Sequence, residues 1–213
     1  MARKPKPSGR KLPHKGRAIK RRRLVRTREL RPRFLIVCEG EKTEPNYFKS
    51  FRVNAVVEVK GVGRNTLSLV KHARKLRDEA RRKGQPFTKV WVVLDRNHFP
   101  PQNFNAAIQH AENEEFGVAY SNEAFELWYV LHFEYLNSAI SRQQYQRKLS
   151  KELGEPYRKN DITLYPRLLP QQSTAIQNAE RLRASYQPNH NPATDNPCTT
   201  VHLLVQELNG HLR

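Results

Sequence analysis

The chain has 213 residues, a length that suits one ordinary domain or one domain with a small appendage. Lys and Arg number 39 against 20 Asp and Glu, which gives a formal net charge of +19. This excess makes a polyanion, most simply a nucleic acid, the expected partner, and it disfavours an acidic macromolecule as substrate or partner.

Most of the charge lies at the start of the chain, where residues 1–33 hold 15 Lys or Arg and one acid. Residues 1–32 contain several Pro and Gly and almost no apolar side chain before Leu24. They cannot bury enough surface to offset the entropy of ordering. We expect a disordered basic arm in which Arg21, Arg22 and Arg23 contact nucleic-acid phosphates. The alternative is a solvated tail that acts only through nonspecific attraction.

After the arm, short apolar runs alternate with helical patterns. Residues 34–38 form a continuous apolar run, which is typical of a strand buried on both faces. Thr43 can cap a helix that continues to Phe51, and the β-branched residues within 53–59 predict a second strand. A turn at residues 61–63 then leads to the next helix.

The middle of the chain repeats this alternation. Asn65 can cap a long amphipathic helix that Gly84 ends. Residues 90–94 predict the third strand, the apolar spacing over 104–111 predicts a helix, and residues 116–120 predict a fourth, shorter strand. Alternating strands and helices imply a parallel sheet that helices cover on both faces.

The last third of the chain lacks a strand pattern. Asn122 can cap a helix from Glu123 to about Tyr135. Further helices are predicted at 139–153, near 161–169, at 173–186 and at 199–208. We therefore expect an α/β domain at residues 33–136 and, at 137–213, a helical extension that packs on it.

The cysteines and the apolar runs predict the location of the protein. Cys38 and Cys198 are too few for a disulfide framework or a zinc site, and Cys38 lies within an apolar run, as a buried small residue would. The basic N-terminal segment is not followed by the apolar stretch of a secretory signal. No run reaches the ~18 apolar residues of a membrane span. These features predict a cytoplasmic protein without a membrane partner.

Two acidic residues follow strands that we expect to be neighbours. Strands one and three usually lie side by side where the strand order of a doubly wound sheet reverses, and ligands bind beyond their carboxyl ends. Glu39 ends the first strand and Asp95 ends the third. Glu41, Glu44 and Asn97 follow on the same rim. The pattern therefore predicts an oxygen-rich site that suits Mg²⁺ or Mn²⁺.

Each of these residues also has a simpler interpretation. Glu39 and Asp95 are compatible with helix capping or with ordinary polar loop positions. Glu41 and Glu44 are compatible with the favourable placement of acids near a helix N-terminus. Lys42 also suits a solvated loop. The residues alone leave both interpretations open.

Three blocks of the sequence resemble the RloB-like family. The first is FLIVCEGEKTEPNYF at residues 34–48. The second is SNEAFELW at 121–128 followed by LHF at 131–133, and the third is NPCTTVH at 196–202. Together the blocks span most of residues 33–208, and the basic arm also suits that family.

The resemblance implies a Toprim-like, Rossmann-like fold, because RloB-like proteins look like members of the wider Toprim group. That group includes topoisomerases, primases and the overcoming-lysogenization-defect nucleases. It uses a glutamate after strand one and an Asp-x-Asp after strand three to hold Mg²⁺ for phosphodiester chemistry. Glu39 and Asp95 match the first two of these positions. Asn97 stands in place of the second aspartate, so the site would have one negative charge fewer and hold metal more weakly.

The same resemblance implies supporting roles for further residues. Glu44 approximately resembles the second acid of the nuclease pattern and is expected to act in catalysis with Glu39 and Asp95. Glu126 would supply a compensating carboxylate to a metal site that also includes Glu41. The family is associated with restriction-modification loci and phage defence, often beside an ATPase, which implies an ATPase partner.

The leading hypothesis is thus a Mg²⁺- or Mn²⁺-dependent nuclease that acts on RNA, tRNA included, or on DNA. Lys42, Arg64 and Arg96 are its expected phosphate contacts. The main alternative is a nucleic-acid-binding module whose Toprim site has decayed, and Asn97 favours it. A phosphatase or nucleotidyl transferase on a similar sheet is a weaker alternative. The absence of an aspartate nucleophile at the end of strand one argues against the phosphatase.

Overall fold

Five strands form one sheet in the computed structural model, which describes residues 31–63, 66–96 and 100–212. In chain order they are β1 (Arg33–Cys38), β2 (Val56–Gly61), β3 (Lys89–Asp95), β4 (Gly117–Asn122) and β5 (Cys198–Thr199). Their order across the sheet is β2-β1-β3-β4-β5, with β5 antiparallel to β4 and every other pairing parallel. The mixed α/β class and the adjacency of the first and third strands are therefore confirmed.

Eight α-helices lie in the described part of the chain. They are α1 (Thr43–Lys49), α2 (Thr66–Arg82), α3 (Pro101–Asn113), α4 (Glu126–Val130), α5 (Arg142–Leu153), α6 (Leu164–Leu168), α7 (Gln172–Ala184) and α8 (Val201–Asn209). A short 3-10 turn, Leu169–Gln171, joins α6 to α7. None of the helices in the described residues combines the length and the apolarity that crossing a bilayer requires.

The side chains of the central strands alternate between two hydrophobic clusters, one on each face of the sheet. Leu35 of β1 and Val92 of β3 pack with α2 and α3 on one face. Ile36 of β1 and Val93 of β3 pack with α1, α4, α7 and α8 on the other. This alternation is what burial on both faces requires, and it explains why both strands are continuous apolar runs. Cys38 is fully buried, as expected.

Residues from the region predicted as a helical extension complete the second of these clusters. Leu204 and Val205 of α8 and Leu182 of α7 lie in the same buried cluster as Phe34 of β1. The division of the chain into an arm, an α/β domain and an extension remains a prediction. The arm and Asn65, the expected cap of α2, lie outside the described residues.

Four local expectations are wrong. The helix α1 begins at Thr43 itself, whose hydroxyl donates to the Lys159 carbonyl oxygen at 3.3 Å instead of capping the helix. The second strand begins at Val56, because Val53 bridges to Leu212 instead. A fifth strand, β5, exists beyond residue 136. Asn122 is the last residue of β4, and the helix expected after it is only the five-residue α4.

The Asn122 side chain holds the loop that precedes β5. Its Nδ2 donates to the carbonyl oxygens of Asp195 at 2.9 Å and of Pro192 and Ala193 at 3.4 Å. A second chain of hydrogen bonds supports the same loop. In it, Tyr120 Oη lies 2.7 Å from His190 Nε2. The other ring nitrogen, His190 Nδ1, lies 2.5 Å from Asp195 Oδ2. We call Tyr120, Asn122, His190 and Asp195 the loop anchor.

Candidate active site

The carboxyl ends of β1 and β3 bring two acidic side chains together. The Glu39 N–H donates to the Val93 carbonyl oxygen at 3.0 Å, which continues the pairing of the strands by one residue. The Glu39 side chain then turns toward β3, and its Oε2 accepts a hydrogen bond from the Asp95 N–H at 3.4 Å. Asp95 is buried and Glu39 is half-buried. The two acidic residues expected to meet at this edge of the sheet are therefore in contact.

A third carboxylate lies near Asp95 and comes from the first turn of α1. Glu44 is 4% exposed, and the backbone N–H groups of Gly40 and of Glu44 itself lie near its carboxylate. Its side chain lies so close to Gly40 that a Cβ atom there would approach Glu44 Oε2 to 2.3 Å. Gly40 thus provides the space that lets Glu44 fold back over the end of β1.

The fourth carboxylate comes from α4. Glu126 is its first residue and is 3% exposed. Its Oε1 lies 3.5 Å from Gln146 Nε2 and 3.9 Å from Lys159 Nζ. We call Glu39, Glu44, Asp95 and Glu126 the acidic cluster.

Burial and mutual repulsion disfavour the charged forms of these acids. Burial raises the pKa of the Asp95 carboxyl well above its usual value, and the charge of Glu44 raises it further. Burial likewise raises the pKa of Glu44, and the charge of Glu126 adds to that effect. Hydrogen bonds from backbone N–H groups oppose part of the shift at Glu44. A group of buried acids that repel one another is typical of a functional site.

Two cationic side chains from the later part of the chain offset this repulsion. Arg142 Nη2 lies 3.3 Å from Asp95 Oδ2, and Lys159 Nζ lies 3.9 Å from Glu126 Oε1. Sequence reasoning missed both residues. The only local signal is Ser141, which caps α5 and thereby makes Arg142 the first residue of that helix. A capping pattern predicts where a helix begins but not which carboxylate its first residue meets.

Other residues expected at the site lie elsewhere. Glu41 is exposed, and its carboxylate lies against Gly63 beyond the end of β2. Lys42 is exposed on the same rim. Arg96 is half-buried and donates from Nε to the Ala193 carbonyl oxygen at 3.0 Å. The remaining expected site residues lie outside the described residues; they are Asn97, Arg64, Arg21, Arg22 and Arg23.

The donor chemistry of the acidic cluster fits a hard divalent cation, but the side chains are not already arranged around one. Asp95 Oδ1 is buried and has no hydrogen-bond partner among the residues that the structure describes. Carboxylate oxygens are the ligands that Mg²⁺ and Mn²⁺ prefer. Within the described residues, however, no three His, Cys, Asp or Glu side chains are grouped so that they could hold a metal ion. Binding an ion would require the side chains to move.

These features define a class: a mixed α/β protein with buried carboxylates at the carboxyl edge of a largely parallel sheet, opposed by cations from later helices and loops. The RloB-like protein family model matches residues 34–208, and the chain therefore belongs to that family. No curated protein and no solved structure matches the chain significantly.

Proposed function

We propose that the protein is a Toprim-type nuclease that uses Mg²⁺ or Mn²⁺ to hydrolyse phosphodiester bonds in RNA, tRNA included, or in DNA, and that it acts in antiphage defence. The observation that carries this proposal is the meeting of Glu39 and Asp95 at the ends of adjacent parallel strands. Nuclease chemistry of this kind places acids and a divalent ion beside the reacting phosphate. The basic composition supports a polyanionic substrate.

Within this proposal the acidic cluster has two tasks. Asp95 and Glu39, with Glu126 and Glu44 beside them, would hold the divalent ion, which when bound supplies Lewis-acid polarisation of the phosphodiester. Asn97 is the further oxygen donor that the proposal places there. Glu39 is the half-buried member of the cluster. It is therefore the acid best placed to exchange a proton with groups entering from solvent.

Formal charge supports a divalent ion in this position. The four carboxylates of the acidic cluster carry four negative charges when ionised, and Arg142 and Lys159 supply two positive ones. A divalent cation among these carboxylates would reduce the mutual repulsion that raises the pKa values of Asp95 and Glu44. Uncompensated buried charge is costly, so the fully ionised cluster favours an added cation.

The substrate contacts in this proposal are cationic. Lys42 is exposed in the segment between β1 and α1, and Arg96 directly follows Asp95. Arg64 and the run Arg21, Arg22 and Arg23 would add contacts to phosphates farther along the substrate. An ATPase partner is proposed on the same basis as the defence role, which is membership of the family.

A cleavage assay tests the proposal. The full chain is incubated with matched tRNA, single-stranded RNA and DNA in Mg²⁺, Mn²⁺ or EDTA, beside the variants Glu39→Gln and Asp95→Asn. We expect metal-dependent cutting that falls by at least about 100-fold in either variant, because each removes a charge from the reacting centre. Glu58→Gln, on β2, is the matched control and is expected to cut normally. Wild-type rates in both site variants would contradict the assignment.

The second candidate is a nucleic-acid-binding module without catalysis. Two observations favour it: Asn97 in place of an acid, and the lack of a preformed metal-ligand group among the described residues. This candidate predicts tight binding without cutting in every metal, and an affinity that falls steeply with salt. Deleting residues 1–32 would remove nearly all of that affinity, whereas a nuclease would keep residual cutting after the same deletion.

A further inference from the structure

The helix α5 directs two side chains at the acidic cluster from one of its faces. Arg142, its first residue, contacts Asp95, and Gln146, one turn later, contacts Glu126. The start of the helix is fixed by a reciprocal cap. Ser141 Oγ accepts from the Gln144 N–H at 3.4 Å, and Gln144 Oε1 accepts from the Ser141 N–H at 2.8 Å. The position of Arg142 is thus set by the helix as well as by its ion pair.

Lys159 reaches the cluster from the segment between α5 and α6. Its carbonyl oxygen accepts the hydrogen bond from the Thr43 hydroxyl, which ties this segment to the start of α1. Nearby, the Tyr157 N–H donates to Ser150 Oγ of α5 at 2.9 Å. The backbone that carries Lys159 is therefore held between two helices, while its side chain remains about half exposed.

We propose that Arg142 and Lys159 bind the scissile phosphate and form the cationic half of the active site. This inference rests on the proposed nuclease function and adds the residues that admit its substrate. A phosphodiester that approaches the acidic cluster is repelled by the carboxylates, and cations at the same place remove that barrier. A guanidinium presents a planar set of donors that matches phosphate oxygens, and an ammonium adds a compact charge.

The same ion pairs serve as resting contacts before substrate arrives. Both cations pair with carboxylates at distances of 3.3 and 3.9 Å, which are loose for charge-assisted hydrogen bonds. Arg142 and Lys159 are also partly exposed, whereas Asp95 and Glu126 are buried. A phosphate entering from solvent therefore meets the cations first. It then becomes their partner and leaves the Asp95 oxygens available to a metal ion.

Phosphate binding without catalysis tests the inference directly. Inorganic phosphate is titrated into the full-length, ¹⁵N-labelled protein in EDTA, and backbone amide shifts are followed by NMR. We expect saturable shifts at Arg142, Gln144 and Lys159. Loss of one charge-assisted contact should weaken this binding on the order of 10-fold in Arg142→Gln or Lys159→Gln. The controls are Arg147→Gln and Lys151→Gln, exposed residues of the same helix, which should bind like the wild type.

Cleavage kinetics separate phosphate binding from a merely structural role. Both site variants should raise KM or lower kcat on the cleaved substrate, and Arg142→Lys should recover part of the loss. If Arg142→Gln does not fold, Lys159→Gln tests the inference instead. The Lys159 side chain is the more exposed of the two, so its substitution should disturb folding less. Unchanged phosphate shifts and unchanged kinetics in the folded variants would overturn the inference.

The inference and the nuclease proposal fail in different ways. In one case Asp95→Asn abolishes cutting while Arg142→Gln and Lys159→Gln retain wild-type kcat and KM. The nuclease proposal is then supported, and the assignment of Arg142 and Lys159 to phosphate binding is wrong. In the other case nothing is cut in any metal, but phosphate shifts the amide signals of Arg142 and Lys159, and the variants lose those shifts. The phosphate-binding site is then supported, and the nuclease proposal is wrong.

Discussion

Two polar networks lie at the carboxyl side of the sheet, and they differ in how well their groups are satisfied. In the loop anchor, the Asn122 amide donates to three carbonyl oxygens, and His190 bridges Tyr120 and Asp195. In the acidic cluster, like charges crowd together and Asp95 Oδ1 has no hydrogen-bond partner among the described residues.

Under the proposed function, the loop anchor serves stability and the acidic cluster serves catalysis. Buried polar groups that are fully hydrogen-bonded specify structure, and a buried carboxylate without such partners lowers stability unless a ligand supplies what is missing. Folded proteins keep such local conflicts mainly at functional sites. Substitutions in the loop anchor should therefore affect folding, and substitutions in the acidic cluster should affect activity.

Among the substitutions that compare the two networks, Gly40→Ala should have the largest effect on the proposed cutting. The new Cβ would overlap the Glu44 carboxylate, which can swing away because it is the end of a flexible side chain. Displacing a reacting group by about 1 Å can cost on the order of 100-fold in rate. We expect that loss with little change in the free energy of unfolding. Single-turnover kinetics and thermal unfolding measure the two quantities, and a large destabilisation with normal cutting would contradict this role of Gly40.

Asn122→Ala should instead lower stability and leave cutting nearly unchanged. The substitution removes an amide that contacts one buried and two part-buried carbonyl oxygens, so we expect a loss of about 2 kcal/mol in the free energy of unfolding. Urea denaturation checks the value. The folded fraction should cut at close to the wild-type rate. A fully stable variant that cuts slowly would place Asn122 in the functional network instead.

Glu44→Gln should stabilise the metal-free protein at neutral pH. The pKa of Glu44 is raised in the folded state from a usual value of 4.5, so the folded protein holds its proton to higher pH than the unfolded chain does. Stability from this group is fully present below pH 4.5 and is lost as the pH rises through the folded pKa. Removing the carboxylate should recover on the order of 1 kcal/mol at pH 7.

The pH dependence of unfolding in EDTA measures this effect. The difference between Glu44→Gln and the wild type should grow as the pH rises above 4.5. Glu41→Gln is the matched control, since Glu41 is exposed and lies outside the acidic cluster. Adding Mg²⁺ should stabilise the wild type more than Glu44→Gln. Equal stability of wild type and Glu44→Gln across the whole range would contradict the repulsion within the acidic cluster.

Tyr120→Phe should lower stability less than Asn122→Ala does. It removes the hydroxyl that contacts His190 Nε2 and, at 3.7 Å, Cys198 Sγ, and it keeps the aromatic ring that packs edge-on against Phe104. The expected loss is about 1 kcal/mol in the free energy of unfolding, with cutting unchanged. Thermal denaturation of Tyr120→Phe and Asn122→Ala, side by side, shows which of the two residues contributes more to stability. A greater loss from Tyr120→Phe than from Asn122→Ala would show that the tyrosine, not the asparagine, is the main support of the loop.

The central strands and the acidic pair could be predicted from sequence because both depend on simple rules. Strands buried on both faces need continuous apolar runs, and parallel neighbours end at one edge of the sheet. The burial of Glu39, Glu44 and Asp95 near one another follows from those rules and from the short connection between β1 and α1.

The features that could not be predicted from sequence depend on contacts between residues far apart in the chain. Arg142 meets Asp95 across 47 positions of sequence, and no local pattern indicates that pairing. The strand β5 has two residues, too few for any periodicity. The role of Asn122 could not be predicted because an asparagine amide serves equally well to cap a helix or to hold a loop. Only the position of the loop decides between these uses.

The shared core has a consequence for biosynthesis. Leu204 and Val205 of α8 fill the hydrophobic cluster that also contains Phe34 and Ile36, near the beginning of the described residues. On the ribosome, the early strands must therefore wait for α8 to emerge before that face of the sheet is covered. Until then Arg142 and Lys159 lack the finished framework that holds them beside the acids. A nascent chain from which α8 has not yet emerged should therefore lack the finished candidate site.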